Sequence, residues 1–503
     1  MSEILLCTLN ARYIHASLGL RYLLANMAAL QPRTRIIEFT LEPWPIDIAE
    51  ELLSHNPTII GFGVYIWNIE QTTRLVKLLK RLRPELTIVL GGPEISHEWQ
   101  EQEIFEYAEH IIPGQADLLF AQLCREILEG HTPAKVYSGI LPDLKTITLP
   151  YALYTDEDIA NRVLYVEASR GCPFKCEFCL SALDKTSWGF PLEPFLAAMQ
   201  DLFERGARHF KFVDRTFNLD SKTTDRLLQF FLERIDSGLF LHFEIIPDRL
   251  PPSLKALLPR FPAGSLQFEV GVQSFNPEVQ ALISRRQDNA KTCENLRWLH
   301  AHTSAHIHAD LIIGLPGESL ESFAKGFDRL VALGTHEIQI GVLKRLRGTP
   351  ITRHTGHFDM RYNPNPPYDI LSTHLIDFQQ MQTLNRFARY WEMIANSGRF
   401  RTALPLVLGD APFQRFYALC DWLYRETAQV HKIALKRLFD LLFEGMTERL
   451  GLDRLQSRTA LEADFAASGI KGLPRLLQNK PAESRTTGKT ATGKHQSRQI
   501  RHL

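Results

Sequence analysis

Cys172, Cys176 and Cys179 stand in the run Gly171-Cys-Pro-Phe-Lys-Cys-Glu-Phe-Cys-Leu180, a C-x3-C-x2-C spacing. Thiolates are ligands for soft metals, and three of them on so short a loop can hold three corners of one iron–sulfur cubane, leaving its fourth iron open to a non-protein ligand. A structural zinc is the competing reading. Asp184 or His209 could supply its fourth ligand, but zinc sites usually pair their cysteines, and Cys7, Cys124, Cys293 and Cys420 form no second pair. The apolar run 163–168 just before the loop reads as a buried strand. The cysteines are therefore expected at a strand's C-terminal end, where α/β folds keep their chemistry.

The elements that must position this loop follow from length and patterning. A chain of 503 residues exceeds the usual size of one core, and 45% apolar residues is ordinary for a globular protein. Lys plus Arg and Asp plus Glu number 57 each, which gives no strong signal for nucleic acid. Seven cysteines, three of them clustered, fit a reducing compartment better than a disulfide framework. No apolar run reaches the ~20 residues that span a bilayer, and the opening segment lacks signal-peptide form, so a cytoplasmic protein without membrane contact is expected.

Continuous apolar runs at 4–9, 35–39, 58–64, 86–90 and near 110–113 alternate with helical patterns at 18–30, 46–54, 69–83 and 116–129. This predicts a doubly wound, flavodoxin-like α/β domain over 1–135, whose ligands would sit outside the C-terminal strand ends. Two loops at those ends carry information. One holds Tyr65 and Trp67, large aromatics; the other holds Gly91 and Gly92, which let a bulky ligand approach the backbone. After a linker at 136–160, runs at 163–168, 209–213, 241–246, 265–270, 306–313 and 337–343 predict six β/α units of a partial TIM-type barrel over 161–360. Helical spacing at 371–396, 412–426 and 432–450 predicts a small α-helical domain over 361–475, with the aromatic-rich stretch 376–391 as its core. The polar, basic stretch 476–503 is expected to be a disordered tail.

The cysteine triplet, with Phe178 before its last member, resembles the signature of radical S-adenosylmethionine (SAM) enzymes. The order of elements in 1–135, with G-F-G-V-Y-I-W-N and L-G-G-P-E, resembles the cobalamin-binding domain that precedes one class of them. The resemblance implies a [4Fe–4S] cluster on Cys172, Cys176 and Cys179, SAM on its open iron, and a cobalamin held near Tyr65, Trp67, Gly91, Gly92 and Gly114. There are departures. The D-x-H-x-x-G motif of cobalamin mutases is missing, His15 lying instead in Y-I-H-A-S-L-G, either as a polar loop residue or as an axial ligand; and the loop that usually reads G-E-G-E is Gly114-Gln-Ala-Asp117.

SAM is a zwitterion with a ribose diol, so its site needs carboxylates, a cation and an amide. Glu269, Gln273, Arg285 and Asp310 supply that set, and the segments E-V-G-V-Q-S-F-N, I-S-R-R-Q-D and H-A-D-L-I-I-G-L-P-G-E resemble the fourth- and fifth-strand SAM contacts of coproporphyrinogen dehydrogenases and methylthiotransferases. Arg286 competes with Arg285. Where many members have G-G-E on the second strand, this chain has Asp214-Arg-Thr-Phe-Asn218, with Asp214 as the candidate for the methionine amine. No further catalytic residue is assigned. The resemblance implies a methyltransferase acting on an unactivated carbon, served by a reductant such as flavodoxin or ferredoxin. Radical rearrangement or cyclisation, methylthio transfer, and a cobalamin-binding sensor without catalysis are the alternatives.

Overall fold

Ile4–Asn10 (β1) is buried along its whole length, as a strand covered on both faces must be. The computed structural model describes residues 3–235 and 238–478. In it β1 is flanked in parallel by Thr34–Thr40 (β2) and Ile59–Gly63 (β3), followed by Thr87–Gly91 (β4) and His110–Ile112 (β5), in the order β2-β1-β3-β4-β5. That is the flavodoxin-like order, whose switch point lies between β1 and β3. Alternate residues of β1 serve opposite faces. Leu5, Cys7 and Leu9 pack with Ile48, Leu52, Leu75 and Leu79, whereas Ile4 and Leu6 pack with Leu20, Phe120 and Leu123.

The chain groups into two units. The first comprises Met1–Glu244, Lys344–Arg353 and Tyr362–Asp369; the second comprises Ile245–Leu343, His354–Arg361 and Ile370–Leu503. Besides the five-stranded sheet, the first unit holds Leu164–Val166 (β6), an antiparallel hairpin of Ser169–Gly171 (β7) with Ser187–Gly189 (β8), and His209–Phe212 (β9), which pairs in parallel with β6 and with Phe240–Ile245 (β10). Phe212, Phe217, Phe231 and Phe243 form an aromatic core under these strands. In the second unit Leu266–Gln273 (β11), His306–Ile313 (β12) and Glu337–Val342 (β13) run parallel, with helices Asn289–His302 and Leu320–Ala332 between them. Five further helices follow, from Phe378–Ile394 to Arg454–Ala467. The aromatic stretch is core material: Phe387 and Trp391 pack against Phe327, Phe413 and Phe416.

Three local expectations change. The helix expected over 18–30 stops at Ala25, because the Asn26 side chain takes the backbone of Thr148 through two hydrogen bonds of 2.9 and 3.1 Å. The cysteine loop leaves a hairpin strand, β7, and not the strand before it. Helices Ala403–Leu408 and Arg454–Ala467 are additional to the expected three. Apart from helix Arg475–Gln478, the expected basic tail lies outside the described residues. Among the described residues no helix is long and apolar enough to cross a membrane.

Candidate active site

The hairpin of β7 and β8 carries the cysteine loop. Gly171, at its start, has φ +85°, and a Cβ there would collide with the Thr186 carbonyl oxygen, so the hairpin needs glycine immediately before Cys172. Cys172 and Cys176 are buried and Cys179 is partly exposed; the Cys179 amide donates to the Cys176 carbonyl at 3.1 Å, closing the second bend. Two anchors hold the loop. The carboxylate of Glu177, 2% exposed, pairs with Arg353, while its carbonyl accepts from the Ile351 amide at 3.0 Å. Asp214, beyond β9, accepts from the Ala168 amide at 3.0 Å and the Ser169 hydroxyl at 2.6 Å.

Burial, with the neighbouring Cys179 and Cys176 adding to it, pushes the Cys172 thiol up to about 11. Three thiolates gathered there need cations to stabilise them, which cluster irons supply. A single zinc would need its sulfurs within roughly 4 Å of one another, given Zn–S bonds of about 2.3 Å. Among the described residues no three His, Cys, Asp or Glu groups are placed to hold one metal ion. The donor set fits a [4Fe–4S] cluster.

A cavity of about 710 Å³ opens at the C-terminal ends of the first sheet, within the range of small-molecule sites. The loops at 10–17, at Tyr65 and Trp67, at Gly91 and Gly92, and at Gly114–Asp117 line it, together with Tyr165 of β6, Glu167 just after it and Arg170 of β7. All five cobalamin candidates therefore face one space. Tyr65 and Trp67 stack with ring centroids 4.4 Å apart and planes 8° from parallel. Their loop is locked by buried Asn68, which accepts from the Tyr65 amide at 2.8 Å and donates to the carbonyls of Leu9 and Gly63, each at 3.1 Å. Gly92, with φ +103°, passes so close to Val64 that a Cβ would strike its backbone. Gly114 faces open space, and Gly91 has room for a Cβ. A broad, mostly apolar ring fits these walls.

The loop at 10–17 is built on Glu38, which sequence reading missed. Its carboxylate accepts from the Asn10 side chain at 3.0 Å and the Ser17 amide at 2.6 Å, and pairs with Arg21 and Arg162 at 3.0 and 2.9 Å. Asp158 completes the set, 2.8 Å from Arg21. Removing one member of such a buried set costs about 3–5 kcal/mol. His15 lies on the cavity wall with Nδ1 2.6 Å from the Tyr165 hydroxyl. Burial first, then Lys211 and Arg12, hold it below the usual histidine range, so the ring is neutral near pH 7.

Of the remaining SAM candidates, Glu269 lies within β11 and Gln273 ends it, Asp310 lies within β12, and Arg285 follows helix Pro277–Leu282. Glu269 and Gly271 stand opposite His308 and Asp310, and the register shifts between Gly271 and Gln273. At this bulge Gln273 has φ +70°, and its amide occupies the space where a Cβ on Gly271 would be. Arg285 donates to the Gly271 carbonyl and to Gln287 Oε1, so the guanidinium returns to the strand end beside Gln273, whereas Arg286 is exposed. Of the two arginines, Arg285 is the one whose side chain reaches the end of β11. Asp310 Oδ1 is 3.6 Å from His308 Nε2. Asp214 belongs to the first unit; burial pushes it up to about 7. A second residue missed from sequence is Glu318, which accepts from the Ser274 and Ser322 hydroxyls at 2.9 and 2.7 Å and thereby pins the loop after β11 to helix Leu320–Ala332. Charged residues inside otherwise apolar or glycine-rich runs were the available signal for Glu38 and Glu318.

If these strand ends hold SAM, Gln273→Ala and Asp310→Ala will keep the cluster absorbance and weaken SAM binding roughly tenfold each, since each removes a partner from a partly dry polar ligand. Equilibrium binding to the reconstituted protein measures this. Unchanged affinity in both variants would remove the assignment.

Comparison with known proteins finds three family models along the chain. The B12 binding domain model matches residues 4–123, the Radical SAM superfamily model matches 166–330, and a model described only as a protein of unknown function, DUF4080, matches 356–502. A cobalamin-dependent radical SAM methyltransferase, TokK of Streptomyces tokunonensis, is 23% identical over 57% of this chain and 47% of its own length. The chain thus spans about half the length of that curated relative. Two solved structures share the fold. The radical SAM methyltransferase TsrM from Kitasatospora setae, with tryptophan substrate and a SAM analogue bound, has TM-score 0.57 and 16% identity over 76% of this chain and 81% of that one. The cobalamin-dependent SAM radical enzyme OxsB, with aqua-cobalamin and SAM bound, has TM-score 0.62 and 13% identity over 92% and 83%. This single chain therefore carries a B12-binding domain followed by a radical SAM domain, the domain pair of the B12-binding radical SAM family.

Proposed function

We propose that this enzyme is a cobalamin-dependent radical SAM methyltransferase that modifies an unactivated carbon. The observation that carries the reading is the shared wall of the 710 Å³ cavity. Cobalamin-domain loops form one side, and Tyr165, Glu167 and Arg170, the residues running directly into Cys172, form another. When bound, the cluster supplies one electron to cleave SAM and cobalamin supplies a methyl group. The chain's own residues do the rest. Cys172, Cys176 and Cys179 hold the cluster, and Glu177 and Asp214 fix their loop. Glu269, Gln273, Arg285 and Asp310 would orient SAM. Tyr65, Trp67 and Gly92 would seat the corrin and, with it, exclude water from the reacting centre. A low-potential one-electron donor of the flavodoxin or ferredoxin kind would serve the cluster.

Methyl transfer consumes SAM in two ways, once as a source of the radical and once as the source of the methyl group. Reduced, reconstituted protein given SAM and cobalamin is therefore expected to release both 5′-deoxyadenosine and S-adenosylhomocysteine. 5′-Deoxyadenosine alone would point to radical rearrangement or cyclisation, and neither product would point to a sensor.

A further inference from the structure

Arg170 stands two residues before Cys172, at most ~7 Å of extended chain. Its guanidinium makes a forked pair with Asp117, at 2.8 and 2.9 Å, and Nη1 also donates to Gln115 Oε1 at 3.2 Å. Nε donates to Glu167 at 2.9 Å. The plane lies over Tyr22, 4.5 Å from the ring centroid, and near Phe190 at 5.3 Å. The side chains of Arg170, Asp117 and Glu167 are only 13, 7 and 10% exposed. Salt and water therefore screen this link little.

The two ends of the link matter. Asp117 and Gln115 sit on the Gly114–Asp117 loop, one wall of the corrin cavity, and Arg170 lies mid-strand in β7, facing Trp188 across the hairpin that opens into the cysteine loop. A planar fork fixes orientation as well as distance, which a lysine could not do. The acid retained in Gly114-Gln-Ala-Asp117 is thus engaged by the cysteine hairpin.

We propose that Arg170 is a positioning residue that couples the corrin cavity to the cysteine loop, so that seating one cofactor orders the wall needed by the other. The identity of the two cofactors rests on the function proposed above; the link itself rests on the contacts of Arg170.

The test is a thermodynamic cycle on the full chain. The dissociation constant of hydroxocobalamin is measured before and after anaerobic reconstitution of the cluster, in the wild type, Arg170→Lys and Asp117→Asn. Coupling of the usual size makes the two wild-type constants differ by on the order of tenfold. In both variants the difference should vanish while cobalamin still binds. A variant that merely loosens the cavity weakens binding equally with and without cluster, so the ratio separates positioning from a structural role. Should Arg170→Lys fail to take up iron, Asp117→Asn carries the test, because the anchors of the cysteine loop at Glu177 and Asp214 are untouched in it. Retention of the full difference in the variants, or no difference in a wild type that binds both cofactors, overturns the coupling. A wild type that binds no cobalamin in either state gives a different signature: it removes the proposed function, and the coupling with it.

Discussion

Replacing Cys172, Cys176 or Cys179 by alanine is expected to abolish the visible iron–sulfur absorbance of the reconstituted protein, while alanine at Cys7, Cys124, Cys293 or Cys420 is expected to leave it intact. The contrast follows from position. Cys7 and Cys124 fill opposite faces of the five-stranded sheet. Cys293 and Cys420 are buried in helices Asn289–His302 and Pro412–Thr427. Burial pushes Cys124 up to about 12 and raises Cys7 and Cys420 as well. The three loop cysteines are the ones that share a bend, and a cluster held by only three thiolates has no protein ligand to spare. Iron and sulfide content per chain, read beside the spectrum, separates cluster loss from unfolding. Loss of absorbance in any of the four outlying variants would move the cluster elsewhere.

The second large effect is at Gly92. Its φ of +103° disfavours any side chain, and a Cβ would run into the Val64 backbone, so Gly92→Trp must displace the loop after β4 as well as fill the cavity. The expected result is loss of cobalamin retention, with iron content read beside it, because the loop after β4 also holds Arg347 and Gly348 through Glu94 and Glu98, on the segment that leads to the Arg353 anchor of the cysteine loop. Gly114→Ala makes a useful comparison. A Cβ there meets nothing within 4 Å, so the cost is confined to its φ of +75° and a smaller loss of retention is expected. Equal retention by Gly92→Trp and the wild type would place the corrin somewhere else.

What the sequence disclosed depended on how local each signal is. β1, β3 and β4 were legible because strands buried on both faces are continuous apolar runs, and the cysteines because cluster ligation fixes their spacing. Helix Arg454–Ala467 was not, since its buried face is made partly of Ser457, Ala460 and Asp464, the last of which caps the backbone amides of Thr402 and Ala403 at 2.8 and 2.9 Å. A buried polar face has no apolar period to read. The strands β7 and β8, three residues each and half polar, were equally silent. Glu38 and Arg170 act through partners distant in sequence, Arg162 and Asp117, and no spacing rule joins them.

The central claim is that one cavity in this chain holds cobalamin beside a radical SAM cluster loop. Its most direct test is to incubate the full-length, cluster-reconstituted protein with hydroxocobalamin and pass it through gel filtration. The red corrin chromophore should co-elute with the protein at one equivalent per chain. A protein that emerges without it, yet keeps its cluster absorbance and still cleaves SAM to 5′-deoxyadenosine, would contradict the claim and leave a cobalamin-independent radical enzyme in its place.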